Sequence, residues 1–171
     1  MTLPIPRLET QRLVLRAPGP QDFEPLAAFS ASDRTAFVGG PADRIDAWTR
    51  LAALIGHWGI RGFGRWVIDA KDGAKSLGSA GLFHPEGWPE PEIAWTLWQP
   101  EAEGHGYAQE AATAARAYAY DTLGWTTAIS LITVGNTRST ALAQRLGCQN
   151  EGVFDHMKYG KMDIWRHPGP A

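Results

Sequence analysis

The pentapeptide Gly104-His105-Gly106-Tyr107-Ala108 stands where a strand gives way to a long helix, and its composition suits anion binding. Glycines let the backbone turn tightly and gather several N–H groups at the helix start. Those donors lack intrahelical acceptors, and the helix dipole adds partial positive charge, so a phosphate or pyrophosphate is a natural ligand. The same turn could equally serve packing alone. Two other phosphate motifs are excluded. The dinucleotide fingerprint needs a third glycine where Gln109 stands, and no Gly-Lys-Ser/Thr run is present for a P-loop.

A second group of polar residues, Asn136 and Ser139, flanks the start of another helix. Asn is a favoured N-cap and Ser is acceptable in a first turn, so both have a structural role available. The five histidines show no metal-ligand spacing, and the single cysteine, Cys148, permits neither an intrachain disulfide nor the usual zinc patterns. Cys148 follows a helix stop and reads as buried packing. No Ser-His-Asp order with a nucleophile elbow is visible, so covalent catalysis is not expected.

The elements that must position these residues follow from periodicity. Residues 12–16 alternate polar and apolar as a half-buried strand does, and Asp22 can cap a short helix carrying Phe23, Leu26 and Phe29. After the break at Gly39-Gly40-Pro41, Trp48, Leu51, Leu54, Ile55 and Trp58 recur at helical spacing, and Gly59, Gly62 and Gly64 end that helix. Strands over residues 65–69, 76–83 and 92–98 form a meander with a proline-rich loop at 84–91. The alanine-rich segment 107–123 is helical, with Gly124 as its C′ residue. A strand at 128–134, a helix at 137–146 and strands near 152–156 and 161–166 complete the chain. The pattern predicts an α+β (three-layer α/β) domain with a mixed, mostly antiparallel sheet of six or seven strands, and residues 1–171 as one domain.

Composition sets the outer limits. Hydrophobic residues make up 44% and charged residues 20% of 171, and the formal charge is −2, as in a soluble globular protein. A nucleic-acid footprint would need a basic excess on one face, so no nucleic-acid partner is expected. Residues 1–10 lack the apolar core of a signal peptide, and no stretch approaches the ~20 apolar residues of a membrane span. A cytoplasmic location with no membrane partner is expected. Three of the eight tryptophans, Trp88, Trp95 and Trp98, lie close to the motifs, and one or two of them could line a pocket while the rest serve packing.

Taken in order, the motifs resemble the GNAT superfamily of acyl-CoA N-acetyltransferases. Glu103-Gly104-His105-Gly106-Tyr107-Ala108 matches the family's Gln/Arg-x-x-Gly-x-Gly/Ala after a departure at Glu103. The continuation Gly-Tyr-Ala-Gln-Glu-Ala (106–111) is similar to the RimJ/RimL-type branch, which acetylates ribosomal-protein amino termini. So are the opening Thr10-Gln11-Arg12-Leu13-Val14-Leu15-Arg16 and the segment Asn136-Thr137-Arg138-Ser139 running to Leu146-Gly147, with Cys148 in place of an aromatic residue.

This resemblance implies a V-shaped splay in the sheet with acetyl-CoA lying in the V. The cofactor would be bound by residues 103–108, by the backbone of Trp95-Thr96-Leu97 at a bulge, and by Asn136 and Ser139. It implies direct acetyl transfer to an amine, either a peptide N-terminus or a small molecule. Glu92 is the base candidate, eleven residues before Glu103, and a solvated strand-end carboxylate is its alternative role. Ser139 would be a proton donor to the sulfur. Glu86 and Glu90 could attract a cationic amine, His105 could favour phosphate, and His84 could face the acceptor groove. A carboxylate at Glu103 should repel pyrophosphate unless it points to solvent. The resemblance leaves a homodimer open, and a non-catalytic acyl-CoA sensor is the alternative function.

Overall fold

In the computed structural model, which describes residues 3–171, one eight-stranded sheet separates two helical layers. The expectation for residues 1–10 falls in part on Met1 and Thr2, outside the described residues. The strands are β1 (Leu8–Glu9), β2 (Leu13–Arg16), β3 (Arg65–Ala70), β4 (Gly78–Phe83), β5 (Glu92–Leu97), β6 (Ile129–Thr133), β7 (Gln149–His156) and β8 (Gly160–Arg166). Their order is β1-β2-β3-β4-β5-β6-β8-β7, antiparallel throughout except where β5 meets β6. The sheet has one strand more than the sequence pattern predicts, because β1 is two residues long and too short to show alternation.

The helices are α1 (Phe23–Ser30), α2 (Arg44–Arg61), α3 (Tyr107–Asp121) and α4 (Thr137–Arg145). Leu26, Phe29 and Leu51 of α1 and α2 pack with Val67 and Trp98 on one face of the sheet. On the other face, Ala111, Ala112, Ala115 and Ala119 of α3 lie fully buried against Trp66, Ile68, Ala80 and Ile93, joined by Leu142 and Ala143 of α4. Small side chains let α3 sit close to the sheet, so a larger residue at these positions would overpack the core. Cys148 lies in this core, as its position predicts, and burial raises its thiol to about 11, which makes it inert. Among the described residues no helix is long and apolar enough to cross a membrane.

Three local expectations are corrected. Asp22 precedes α1 but makes no side-chain cap; its buried carboxylate accepts hydrogen bonds from Arg16, Ser76 and the Gly19 N–H. Gly59 lies within α2, which ends at Gly62 in the left-handed conformation. Trp48, at core spacing in the pattern, is 63% exposed.

Candidate active site

The site begins where the sheet comes apart. β5 and β6 share a single register pair, Glu92 with Ile129, and diverge beyond it. At that point side chains take the place of the main-chain ladder. The Leu131 N–H donates to Glu92 Oε1 (3.1 Å), and the Ser130 hydroxyl donates to the Ile93 carbonyl (2.6 Å). The predicted V is therefore present. The predicted bulge is not: β5 pairs with β4 in unbroken register from Gly78–Leu97 to Phe83–Glu92.

Strand alternation then decides which backbone groups face the opening. Trp98 N–H donates to Leu77 O on the β4 side, while the Ile93 and Leu97 carbonyls are used on the other side, by Ser130 and Arg34. Trp95, between them, turns its N–H and C=O into the V, where no strand pairs with it. Thr96 pairs through its backbone with Ser79 on β4, so of the predicted triplet only Trp95 and Leu97 can offer backbone donors to a ligand.

Two clefts meet along this edge. The first, about 720 Å³, is lined by Trp95, Thr96, Leu97, Glu103, Gly104, Gly106, Tyr107, Ala108, Asn136 and Ser139, which covers every predicted cofactor residue but His105. The His105 ring stacks on Tyr107 instead, and its carbonyl accepts from Arg12 Nη1 (2.8 Å). Gly104 and Gly106 have φ near +79° and +78°, a conformation that L side chains rarely adopt, so glycine is required for the turn. Arg12 also bonds Glu110 (2.7 Å), which accepts from Thr10 as well (2.6 Å). Two segments far apart in sequence, 10–16 and 106–111, thus clamp one turn.

Glu103 does not point freely to solvent. Its carboxylate lies between Arg34 (2.5 Å) and Arg138 (2.7 Å), while Arg34 also holds the Leu97 and Trp98 carbonyls. Burial works against its charge, but hydrogen bonds from Arg138 and Arg34 prevail and keep its pKa below the ordinary value. The repulsion expected of this residue is thereby offset. Arg34, Arg138 and Arg145 all line the first cleft and escaped the sequence reading, since lone arginines on helices and loops carry no pattern.

Asn136 caps α4, its side chain accepting from Ser139 N–H (3.3 Å). The Trp95 indole donates to Ser139 Oγ (3.3 Å) across the V. An indole can only donate, so the serine's own proton stays free to be given elsewhere.

The second cleft, about 560 Å³, shares Trp95, Thr96, Asn136 and Ser139 with the first and also holds Glu92 and Trp88. Glu92 is 5% exposed, which rules out the solvated strand-end role. Burial raises its carboxyl to about 7, against the opposing pull of the Trp88 indole, the Leu131 N–H and the Arg65 charge. Trp98 borders the cleft from the core beneath, as its position near the motifs allowed. The acidic loop does not contribute as expected. Glu90 is held by both Arg166 nitrogens at 2.7 Å, and Glu86 is exposed and outside both clefts. The predicted place of His84 in the groove is not observed either: it lines neither cleft, and its main-chain N–H donates to His57 Nε2 (2.9 Å).

Comparison with known proteins agrees with this architecture. The model of the acetyltransferase (GNAT) domain family matches residues 12–149, most of the chain. An acetyltransferase of Agrobacterium tumefaciens has the same fold, with a TM-score of 0.87 at 33% identity, over 98% of this chain and 97% of that one. An uncharacterised N-acetyltransferase of Bacillus subtilis, YoaA, is 28% identical over 162 residues, 90% of this chain and 89% of its own length. The ribosomal L7/L12 α-N-protein acetyltransferase RimL matches with a TM-score of 0.78 but 14% identity, over 95% of this chain and 94% of that one, a likeness of fold alone.

Proposed function

Because the chain belongs to the GNAT family of acetyltransferases, we propose that it binds acetyl-CoA along the first cleft and transfers the acetyl group directly to an amine held in the second. The observation that carries this reading is the parting of β5 from β6, which turns the unpaired N–H of Trp95 into the line where the two clefts meet.

The residues present fit such a cofactor. The free N–H groups at the glycine turn suit a diphosphate, and Arg138 and Arg145 add positive charge beside it. The Trp95 and Leu97 N–H groups suit the amide-bearing pantetheine arm. When bound, acetyl-CoA supplies an acetyl group activated as a thioester.

The chain's own groups then have distinct tasks. Trp95 N–H polarises the carbonyl oxygen, a donor of the kind whose removal costs ~10² to 10³ in rate. Glu92, with a pKa near neutrality, takes a proton from the ammonium so that the nitrogen lone pair can attack. Ser139 gives its proton to the departing sulfur and, at the N-terminus of α4, is backed by a helix dipole that favours negative charge. Glu103, the argument for a non-catalytic sensor, is neutralised by two arginines and no longer favours that alternative. A place in the RimJ/RimL branch rests on the 106–111 and 10–16 motifs, and the acceptor is either a peptide N-terminus or a small-molecule amine.

Release of free thiol from acetyl-CoA with a panel of amines tests the activity, and a crystal soaked in coenzyme A tests the site. The diphosphate is expected over residues 104–108, and Ser139→Ala is expected to lower kcat roughly tenfold with coenzyme A affinity kept. A diphosphate bound elsewhere, or no release with any amine, would overturn the proposal.

A further inference from the structure

The second cleft has a charge pattern that a simple amine does not explain. Three cations line it, Arg50, Arg65 and Lys158, against one acid, Glu92. Among the described residues none of the three cations forms an ion pair with a carboxylate. Arg16, Arg34 and Arg166, also partly buried, each hold one or two.

Arg65 is the sharpest case. Its Nη2 donates to Thr96 Oγ1 (2.8 Å) and Ser79 O (3.4 Å), but its buried Nε has no hydrogen-bond partner. A guanidinium withdrawn from water without a counterion is costly unless something else completes it. Desolvation has pulled its pKa down to about 10, with Glu92 as the charge that opposes the shift.

Sheet geometry places this cation within reach of the base. Arg65 is opposite Gly81, which is opposite Ala94, so Arg65 lies two residue positions along from Glu92. The offset is ~7 Å along the strand and two strand spacings, ~10 Å, across the sheet. The Arg65 side chain spans the latter to reach Thr96 on β5, on the same face as Glu92, with the small side chain of Ala94 between them as floor. An amine facing Glu92 could therefore present an anionic group to Arg65 if only a few bonds separate the two. Aromatic walls from Phe37, Phe83, Trp88 and Tyr159 suit an apolar remainder. A polyamine would meet three cations, and a peptide N-terminus carries a carboxylate that near only when its first residue is Asp or Glu.

We infer that the acceptor is a small amine that also bears a carboxylate and an apolar group, such as an apolar or aromatic amino acid, with Arg65 receiving the carboxylate while the amine faces Glu92. This rests on the proposed transfer to an amine in the second cleft and narrows it.

The test is a matched panel of apolar and aromatic amino acids, each with its carboxamide and its decarboxylated amine, assayed by thiol release from acetyl-CoA. A charge-assisted hydrogen bond of 1.5–3 kcal/mol predicts kcat/KM roughly 10- to 150-fold higher for the acid than for its amide. R65Q is expected to bring that ratio to within about threefold while coenzyme A still raises its melting temperature. If R65Q does not fold, R65K keeps the charge and loses the fork, and the ratio should fall severalfold. Preference for the amides or plain amines, or an unchanged ratio in the folded variant, overturns the inference. Should no amine at all be acetylated, the proposed transfer fails instead. Titration of the acids into the coenzyme A complex, wild type against R65Q, then still decides the carboxylate site: tighter binding by wild type supports it and equal binding overturns it.

Discussion

Replacing Glu92 by Gln separates catalysis from stability because the two effects have different sizes. The carboxyl stands at about 7 against an ordinary 4.5, with desolvation as the chief cause. A folded value above the unfolded one means that its stabilising contribution is complete below pH 4.5 and is lost as pH rises through 7. At pH 8 the wild type therefore carries a penalty of about 3 kcal/mol, which the neutral amide removes. Gln also brings a loss. Its oxygen can keep the bond from Leu131 N–H, but its NH2 cannot accept from the Trp88 indole, and a buried orphaned donor costs about 1–3 kcal/mol. The two terms nearly cancel, so stability at pH 8 should change by no more than about 2 kcal/mol.

The rate should fall by ~10² to 10⁴, the usual worth of a general base. The wild-type kcat/KM, measured by thiol release with a low-pKa amine from pH 5.5 to 9, should level off above pH 7 and drop roughly tenfold per pH unit well below it. E92Q should lose that limb and retain coenzyme A affinity. Turnover within about threefold of wild type across the whole range would refute Glu92 as the base.

Three further outcomes are expected. Glu103→Gln keeps an acceptor for Arg34 and removes one negative charge beside the glycine turn, so coenzyme A affinity measured by calorimetry should stay constant or rise up to about tenfold; a clear fall would contradict the placement of the diphosphate. Arg12→Ala frees the His105 carbonyl and Glu110, and should weaken coenzyme A binding about tenfold while costing no more than about 1 kcal/mol of stability, since Arg12 is largely exposed; unchanged affinity would show that the clamp does not shape the turn. His167 accepts from Arg116 and contacts Ser130 Oγ, and burial holds its pKa near 3, so its contribution to stability is present above pH 6.5 and is lost as pH falls. Between pH 7 and 5 urea titration should show His167→Asn gaining about 2 kcal/mol relative to wild type, the opposing Glu92 contribution being common to both.

The sequence carried the parts of this protein that are written locally. Helix α3, the glycines at its head and the Asn136 cap were legible because alanine propensity, positive φ and an unpaired first turn each act within a few residues. The meander was legible for the same reason, and so was the buried fate of Cys148. Glu92 could be picked out as a candidate, but two roles fitted it equally, because burial is set by the elements packed around a residue. Only the tertiary structure closed β6 and Trp88 over that carboxylate and so lifted its pKa. It alone revealed that the V opens through side chains inserted at Glu92 and Ser130, without a bulge. It also paired Glu103 with arginines 69 and 35 residues away, and took Glu90 out of the second cleft by joining it to Arg166. Charge compensation of this kind acts through space between segments that have no fixed spacing in the chain, and so leaves no periodic trace in it.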